Sequence, residues 1–137
     1  MGAAENKLLM QSVFAELEKG NTVPFGEAMA DDFSWTIIGT TKWSRTYSGK
    51  ETVLRGLMAP LFAQFADTYT NTAERFIAED DYVVVQCRGR VTTKSGAPYN
   101  NTYCYVCRLA GGKLKELTEY LDTELLSAVL APPPPMD

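Results

Sequence analysis

The chain has 137 residues, 45% of them hydrophobic and 22% charged, and carries a net charge of −4. That suffices for one domain with a real core, and with no run of Lys or Arg it argues against a nucleic-acid or anionic-membrane surface. Histidine is absent, which excludes Ser-His-Asp and Cys-His catalysis, His-ligated metals and His general bases, and leaves proton transfer near neutrality to a carboxylate, Tyr, Lys or Cys of shifted pKa.

In chain order, Leu8, Leu9, Val13, Phe14 and Leu17 recur at helical spacing, which predicts a helix over residues 5–19 stopped by Lys19-Gly20-Asn21. A short second helix is expected over residues 23–29, with Thr22 as its cap and Pro24 in its first turn, broken by Asp31-Asp32. Residues 33–38 alternate and are β-branched, the mark of a strand. Residues 39–49 read as a polar loop, and its Trp43 and Tyr47 need either a core or a pocket mouth to cover. Ser48-Gly-Lys-Glu51 has the spacing of a capping box, and the helix it opens carries Val53, Leu54, Leu57, Met58, Leu61, Phe62 and Phe65 on one stripe, with Pro60 expected to kink it.

Three antiparallel strands are predicted next, over residues 68–79, 82–93 and 99–109, followed by a last strand over 114–122 that turns at Gly111-Gly112. A short helix over 124–130 and a disordered tail over 132–137 complete the domain of residues 1–131. The order is helices, strand, helix and a four-strand meander, which makes an α+β cone: a curved antiparallel sheet with helices on its concave face. The stripe of the third helix is expected to cover that face and leave a cavity.

The last strand carries the residue that demands explanation. Period-2 geometry sets Leu117, Glu119 and Leu121 on one face, and a carboxylate between two aliphatic residues is costly unless it is paired, hydrogen-bonded or lining a cavity. On the strand over 82–93 the alternation separates Gln86, Arg88 and Arg90 from Val83, Val85 and Cys87. If Arg88 faces the cavity, its guanidinium can grip Glu119. The pair then serves as a base with an oxyanion partner, as a ligand anchor, or as a structural ion pair. Tyr99, Asn101, Tyr103 and Tyr105 form a face rich in rings and hydroxyls that suits a flat, partly oxygenated molecule, or equally a sheet core or interface. Three cysteines cannot close a disulfide framework, and Cys104 and Cys107 fall on opposite faces of a strand, so neither metal nor redox chemistry is expected of them. No stretch is long and apolar enough to span a membrane and residues 1–7 lack the apolar core of a signal peptide, so a cytoplasmic location is expected.

The helix pair, Ala30-Asp-Asp-Phe-Ser-Trp, the aromatic loop, Tyr47-Ser-Gly-Lys-Glu-Thr-Val and the closing Gly112-Lys-Leu-Lys-Glu-Leu-Thr-Glu-Tyr-Leu-Asp resemble the SnoaL-like branch of the nuclear transport factor 2-like superfamily over residues 5–126. The resemblance implies a cone with a hydrophobic pocket and a homodimer through the outer sheet face. It does not carry over a reaction. The limonene epoxide hydrolase pattern of Tyr and Asn, Arg-x-Asp and a last Asp meets Trp35, Ile37, Gln86-x-Arg88 and Glu119 here, so only the last carboxylate survives. Ketosteroid isomerase places its base on the first strand, where Ile37 stands, and the scytalone dehydratase and cyclase patterns need His.

The expected function is therefore binding of a small hydrophobic molecule, aromatic or polyketide- or terpenoid-like, without cofactor or metal. Trp35, Ile37, Trp43, Tyr47, Leu57, Leu61, Gln86, Asn101, Tyr103, Leu117 and Leu121 are the expected pocket residues, and Glu119 with Arg88 the expected chemical pair. Two alternatives stay open: a cofactor-free lyase, isomerase or hydrolase using Glu119, and a non-catalytic dimeric interaction module whose cone is filled by its own side chains.

Overall fold

In the computed structural model, which describes residues 2–135, helix α1 spans Ala3–Leu17. It turns Met10, Val13, Phe14 and Leu17 inward, while Leu8 is 64% exposed and Asn6 takes a buried place instead. Gly20 ends it with a positive φ of 86°, and the N–H groups of Gly20 and Asn21 return to the carbonyls of Leu17 and Glu16. Helix α2 spans Val23–Ala28. Its first turn is held by the Asn21 side chain, which accepts from the Val23 N–H at 3.2 Å, rather than by Thr22.

Strand β1 is Met29–Ile37 and therefore starts earlier than expected. Asp31 and Asp32 lie inside it, exposed, instead of ending a helix. Lys115 of the neighbouring strand meets Asp32 at 2.7 Å, which makes an acidic residue acceptable there. The expected loop over 39–49 contains a further strand, β2 (Thr46–Ser48), paired antiparallel with β1 through Trp35 and Tyr47. Ser44 accepts from the Thr41 N–H and donates to the Ile38 carbonyl, folding the turn so that Trp43 is buried.

No capping box forms at Ser48; Gly49 is the cap, at φ 96°. The helix that follows is composite: α3 (Lys50–Thr52), a π-helical stretch over Val53–Met58, and α4 (Ala59–Phe62). The wide turn lies immediately before Pro60. Proline has no N–H for the preceding carbonyls and its ring crowds them, and the Ala59 N–H bonds to the Leu54 carbonyl, one residue further back than in an α-helix.

The meander is β3 (Thr70–Glu79), β4 (Tyr82–Arg90), β5 (Thr102–Ala110) and β6 (Lys113–Leu121). Gly111 and Gly112, at φ 57° and 75°, give the last turn the left-handed pair it requires. The six strands run in the order β2-β1-β6-β5-β4-β3. β1 closes onto β6 in parallel, and the other pairs are antiparallel. Helix α1, not the third helix, lies across β3 and β4 on the concave face, with Phe14 against Phe76 and Tyr105. Helix α5 (Thr123–Val129) follows β6, and Asp122 caps it by accepting from the N–H groups of Glu124 and Leu125. Pro132–Pro135 have no regular structure; residues 136–137 of the expected tail lie outside the described residues. No helix in the described residues is long and apolar enough to cross a membrane.

Candidate functional site

The strand alternation on β6 turns Glu119 into the cone, where it is 7% exposed. Its register partners are Ile37 on β1 and Tyr105 on β5. Trp35, two residues before Ile37 and on the same face, reaches across, and its indole N–H donates to Glu119 Oε1 at 2.8 Å. That is the only hydrogen bond the carboxyl receives among the described residues. Burial pushes its pKa from the ordinary 4.5 up to about 7, against the opposing pull of the Trp35 N–H, which favours the charged form.

A cavity of about 50 Å³ lies over this carboxyl. The sheet contributes Trp35, Ile37, Tyr103, Tyr105 and Glu119, α2 contributes Phe25, the helical stretch over 53–62 contributes Leu57, Met58 and Leu61, and Trp43 comes from the loop. Leu126 of α5 and Leu130 beyond it close another side. The rings are mutually fixed: Trp35 stands edge-on to Tyr105 at 5.9 Å and tilted against Phe25 at 5.6 Å. Tyr69, Tyr99, Tyr103 and Tyr105 also reach the wall. Burial drives all four phenols upward, so each keeps its proton and remains a donor. Among the described residues, no Lys or Arg lines the cavity.

Arg88 takes no part. It lies on the outer face of the sheet, 64% exposed at its side chain, and its Nε donates to Glu74 at 3.1 Å. Gln86 faces outward beside it. The reason is visible in β4 itself: Val83, Val85 and Cys87 are the apolar set and take the core, leaving Gln86, Arg88 and Arg90 to solvent. The expected Arg88–Glu119 pair is therefore replaced by Trp35–Glu119, and Gln86, expected on the pocket wall, does not line it.

The other expected residues divide. Trp35, Ile37, Trp43, Leu57, Leu61 and Tyr103 reach the cavity wall. Tyr47 is buried beside it, its hydroxyl donating to the Trp43 carbonyl at 2.9 Å and its ring beneath the Arg45 guanidinium, but does not line it. Asn101 is a corner brace: its amide donates to the Tyr99 hydroxyl and the Asp122 carbonyl and accepts from the Thr102 and Asp122 N–H groups. Leu117 is fully in the core and Leu121 half-buried, and neither lines the cavity. Residues outside the expected set include Phe25, Tyr69, Asn71, Leu126 and Leu130. The last two were findable, since an i, i+4 leucine pair on a closing helix marks a face that must be covered.

With this geometry established, the family whose description is the SnoaL-like domain matches residues 10–117. The chain belongs to the SnoaL-like family. No protein with a curated description matches it. Among solved structures it is similar to an NTF2-like protein from Burkholderia thailandensis, with a TM-score of 0.78 at 19% identity over 93% of this chain and 98% of that one. A SnoaL-like protein of the polyketide-cyclase type from Jannaschia sp. CCS1 gives 0.76 at 20% identity over 96% and 95%, and TerC, co-crystallised with polyporic acid, 0.76 at 17% over 90% and 96%. At these identities the likeness shows the fold alone, and it agrees with the SnoaL-like family match.

Proposed function

We propose that this SnoaL-like cone binds a small, hydrophobic, partly oxygenated molecule and that Glu119 exchanges a proton with it. One observation carries the reading: the sole carboxyl on the cavity wall among the described residues is buried among aromatic rings, holds a single hydrogen bond, and titrates near neutrality. A carboxyl with pKa about 7 is present in both protonation states at neutral pH, so it can take a proton from an activated carbon or oxygen and return it elsewhere. Protonated phenols on the same wall supply donors for an oxygen that gains negative charge during the transfer. Isomerisation and elimination both meet that description, and proton transfer of this kind needs no cofactor.

The wall also restricts the ligand. A permanent anion would be buried with no cation on the wall to meet it, so the ligand is neutral. The cavity has room for only a few water molecules, so a ring-sized ligand needs the side chains of its wall to give way. The similar fold of TerC, co-crystallised with polyporic acid, agrees with an organic small molecule as the occupant. The test is a thermal-shift screen of neutral phenols, enones and ketones, followed by deuterium uptake from heavy water into any hit that carries an acidic C–H. Stabilisation by a hit, and uptake that Glu119→Gln abolishes while binding persists, is the expected result. Stabilisation by none of the compounds, or uptake unchanged in Glu119→Gln, would refute the reading.

The outer sheet face favours self-association as well. Ile77, Val84 and Val106 are aligned across β3, β4 and β5, and Ile77, Tyr82 and Tyr120 are exposed. We propose a homodimer through this face; Val106→Asp should then shift the mass in light scattering from dimer to monomer.

A further inference from the structure

A second polar group stands across the sheet from Glu119, built around one of the four cavity phenols, Tyr69, and the buried Asn71. Glu119 is on β6 and Asn71 is at the start of β3, three strand intervals away in the sheet, about 14 Å between strand axes by the usual spacing. Asn71 is 1% exposed and lines the cavity. Its Nδ2 donates to the Tyr69 hydroxyl at 3.0 Å, and its Oδ1 has no partner among the described residues. A leucine would fill the same space without leaving a buried acceptor unpaired. What an Asn supplies and a Leu cannot is the N–H, and that N–H occupies a lone pair of the Tyr69 oxygen.

Tyr69 is fixed from two more directions. Its ring stacks on Phe65 at 5.7 Å, with 15° between the planes, and leans on Phe62 at 5.6 Å. Beneath it is Gly89, in the second half of β4. A Cβ at Gly89 would stand 2.8 Å from the Tyr69 hydroxyl oxygen and 2.9 Å from a ring carbon of Tyr103. The backbone of Gly89 is ordinary strand with no positive φ, so the glycine serves space alone: it lets two tyrosines settle onto the sheet. The Tyr69 hydroxyl thus accepts from Asn71, stands within hydrogen-bonding reach of the Tyr103 hydroxyl, and lines the cavity as a protonated phenol.

We infer that Tyr69, seated over Gly89 and oriented by Asn71, donates a hydrogen bond to an oxygen of the ligand across the cavity from Glu119, so that the ligand carries two separated oxygen functions. This rests on the reading that the cavity binds a small oxygenated molecule, and adds to it a specificity-determining residue and a ligand class: a rigid, neutral ring system with a hydroxyl at one end and a carbonyl at the other. Tyr69 reads the carbonyl. Gly89 and Asn71 are positioning residues.

Two probe pairs test it, each differing in one oxygen: 4-acetylphenol against 4-ethylphenol, and 6-acetyl-2-naphthol against 6-ethyl-2-naphthol. Dissociation constants are measured by calorimetry on the full chain and on Tyr69→Phe, Asn71→Leu and Gly89→Ala. The expected result is that the acetyl member of at least one pair binds the wild-type chain roughly tenfold more tightly than its ethyl partner, the scale of one neutral hydrogen bond. In Tyr69→Phe that ratio falls to about one while the ethyl compound binds as before, an outcome that a merely structural role for the tyrosine would not produce. Asn71→Leu lowers the ratio without loss of melting temperature. Gly89→Ala supports the inference by lowering the ratio; should it fail to fold, the other two variants still decide. An acetyl preference that survives in Tyr69→Phe, or ethyl compounds that bind as well as acetyl ones to the wild type, overturns the inference and leaves the role of Glu119 standing. If no member of either pair binds, both readings fall.

Discussion

Stability as a function of pH offers a direct measure of Glu119. In the folded chain its pKa lies at about 7 against an ordinary 4.5. The native state therefore holds a proton between those values that the unfolded chain has released, and stability must fall as pH rises through that window. The contribution is fully present below pH 4.5 and lost above 7. A separation of about 2.5 pH units at about 1.36 kcal/mol each corresponds to roughly 3 kcal/mol. Other groups titrate over the same range, so the quantity to measure is the difference between wild type and Glu119→Gln. The amide of that variant would keep an oxygen for the Trp35 N–H and would have no charge to release, so its effects on packing enter as a constant. Urea unfolding at intervals from about pH 4 to pH 8.5 should show the wild type losing about 3 kcal/mol relative to Glu119→Gln across the range, with the midpoint of the loss between about pH 5 and 7. A difference that stays flat within about 0.5 kcal/mol would mean that Glu119 titrates as an exposed acid, and burial would be refuted as the cause of its raised pKa.

Trp35→Phe removes the one donor that favours the ionised carboxyl, so the same titration should place the Glu119 pKa above its wild-type value; a lower value would contradict the assigned hydrogen bond. Gln64→Ala should cost about 1–3 kcal/mol, because the Gln64 amide both accepts from and donates to the Ala131 backbone, which Trp43 also holds; hydrogen exchange should quicken over the segment after α5 and not in β5. Arg88→Ala should alter stability by less than about 0.5 kcal/mol and leave the Glu119 titration unmoved, since its partner is Glu74 on the outer face. A changed Glu119 midpoint in that variant would restore the discarded pair.

Much of this molecule is written in local patterns. The alternation in β4, β5 and β6, the Gly-Gly turn and the Gly20 stop each depend on a few neighbouring residues, and each forms close to where those residues place it. Glu119 stands out for the same reason, as a carboxyl on a leucine face. Where the reading failed, two local signals competed or a partner lay far away in the chain. Asp31-Asp32 look like a helix stop until Lys115, 83 residues later in the chain, meets Asp32 in the parallel pairing of β1 and β6. Ser48 and Glu51 have the spacing of a cap, but the chain turns on Gly49 instead.

Periodicity alone divides β4 into two faces, and hydrophobicity is enough to say which one enters the core, which places Arg88 outside and away from Glu119. By itself the sequence determined the α+β cone, the inward carboxyl and the tyrosine-rich third strand of the meander, because strand period and burial preference act over a few residues. Only the tertiary structure decided that Trp35 is the partner of Glu119, that α1 covers the sheet, and that Tyr69, Asn71 and Gly89 meet on the opposite wall. Those contacts arise from how strands far apart in the chain are placed beside one another and how the sheet curves, and no local period encodes them.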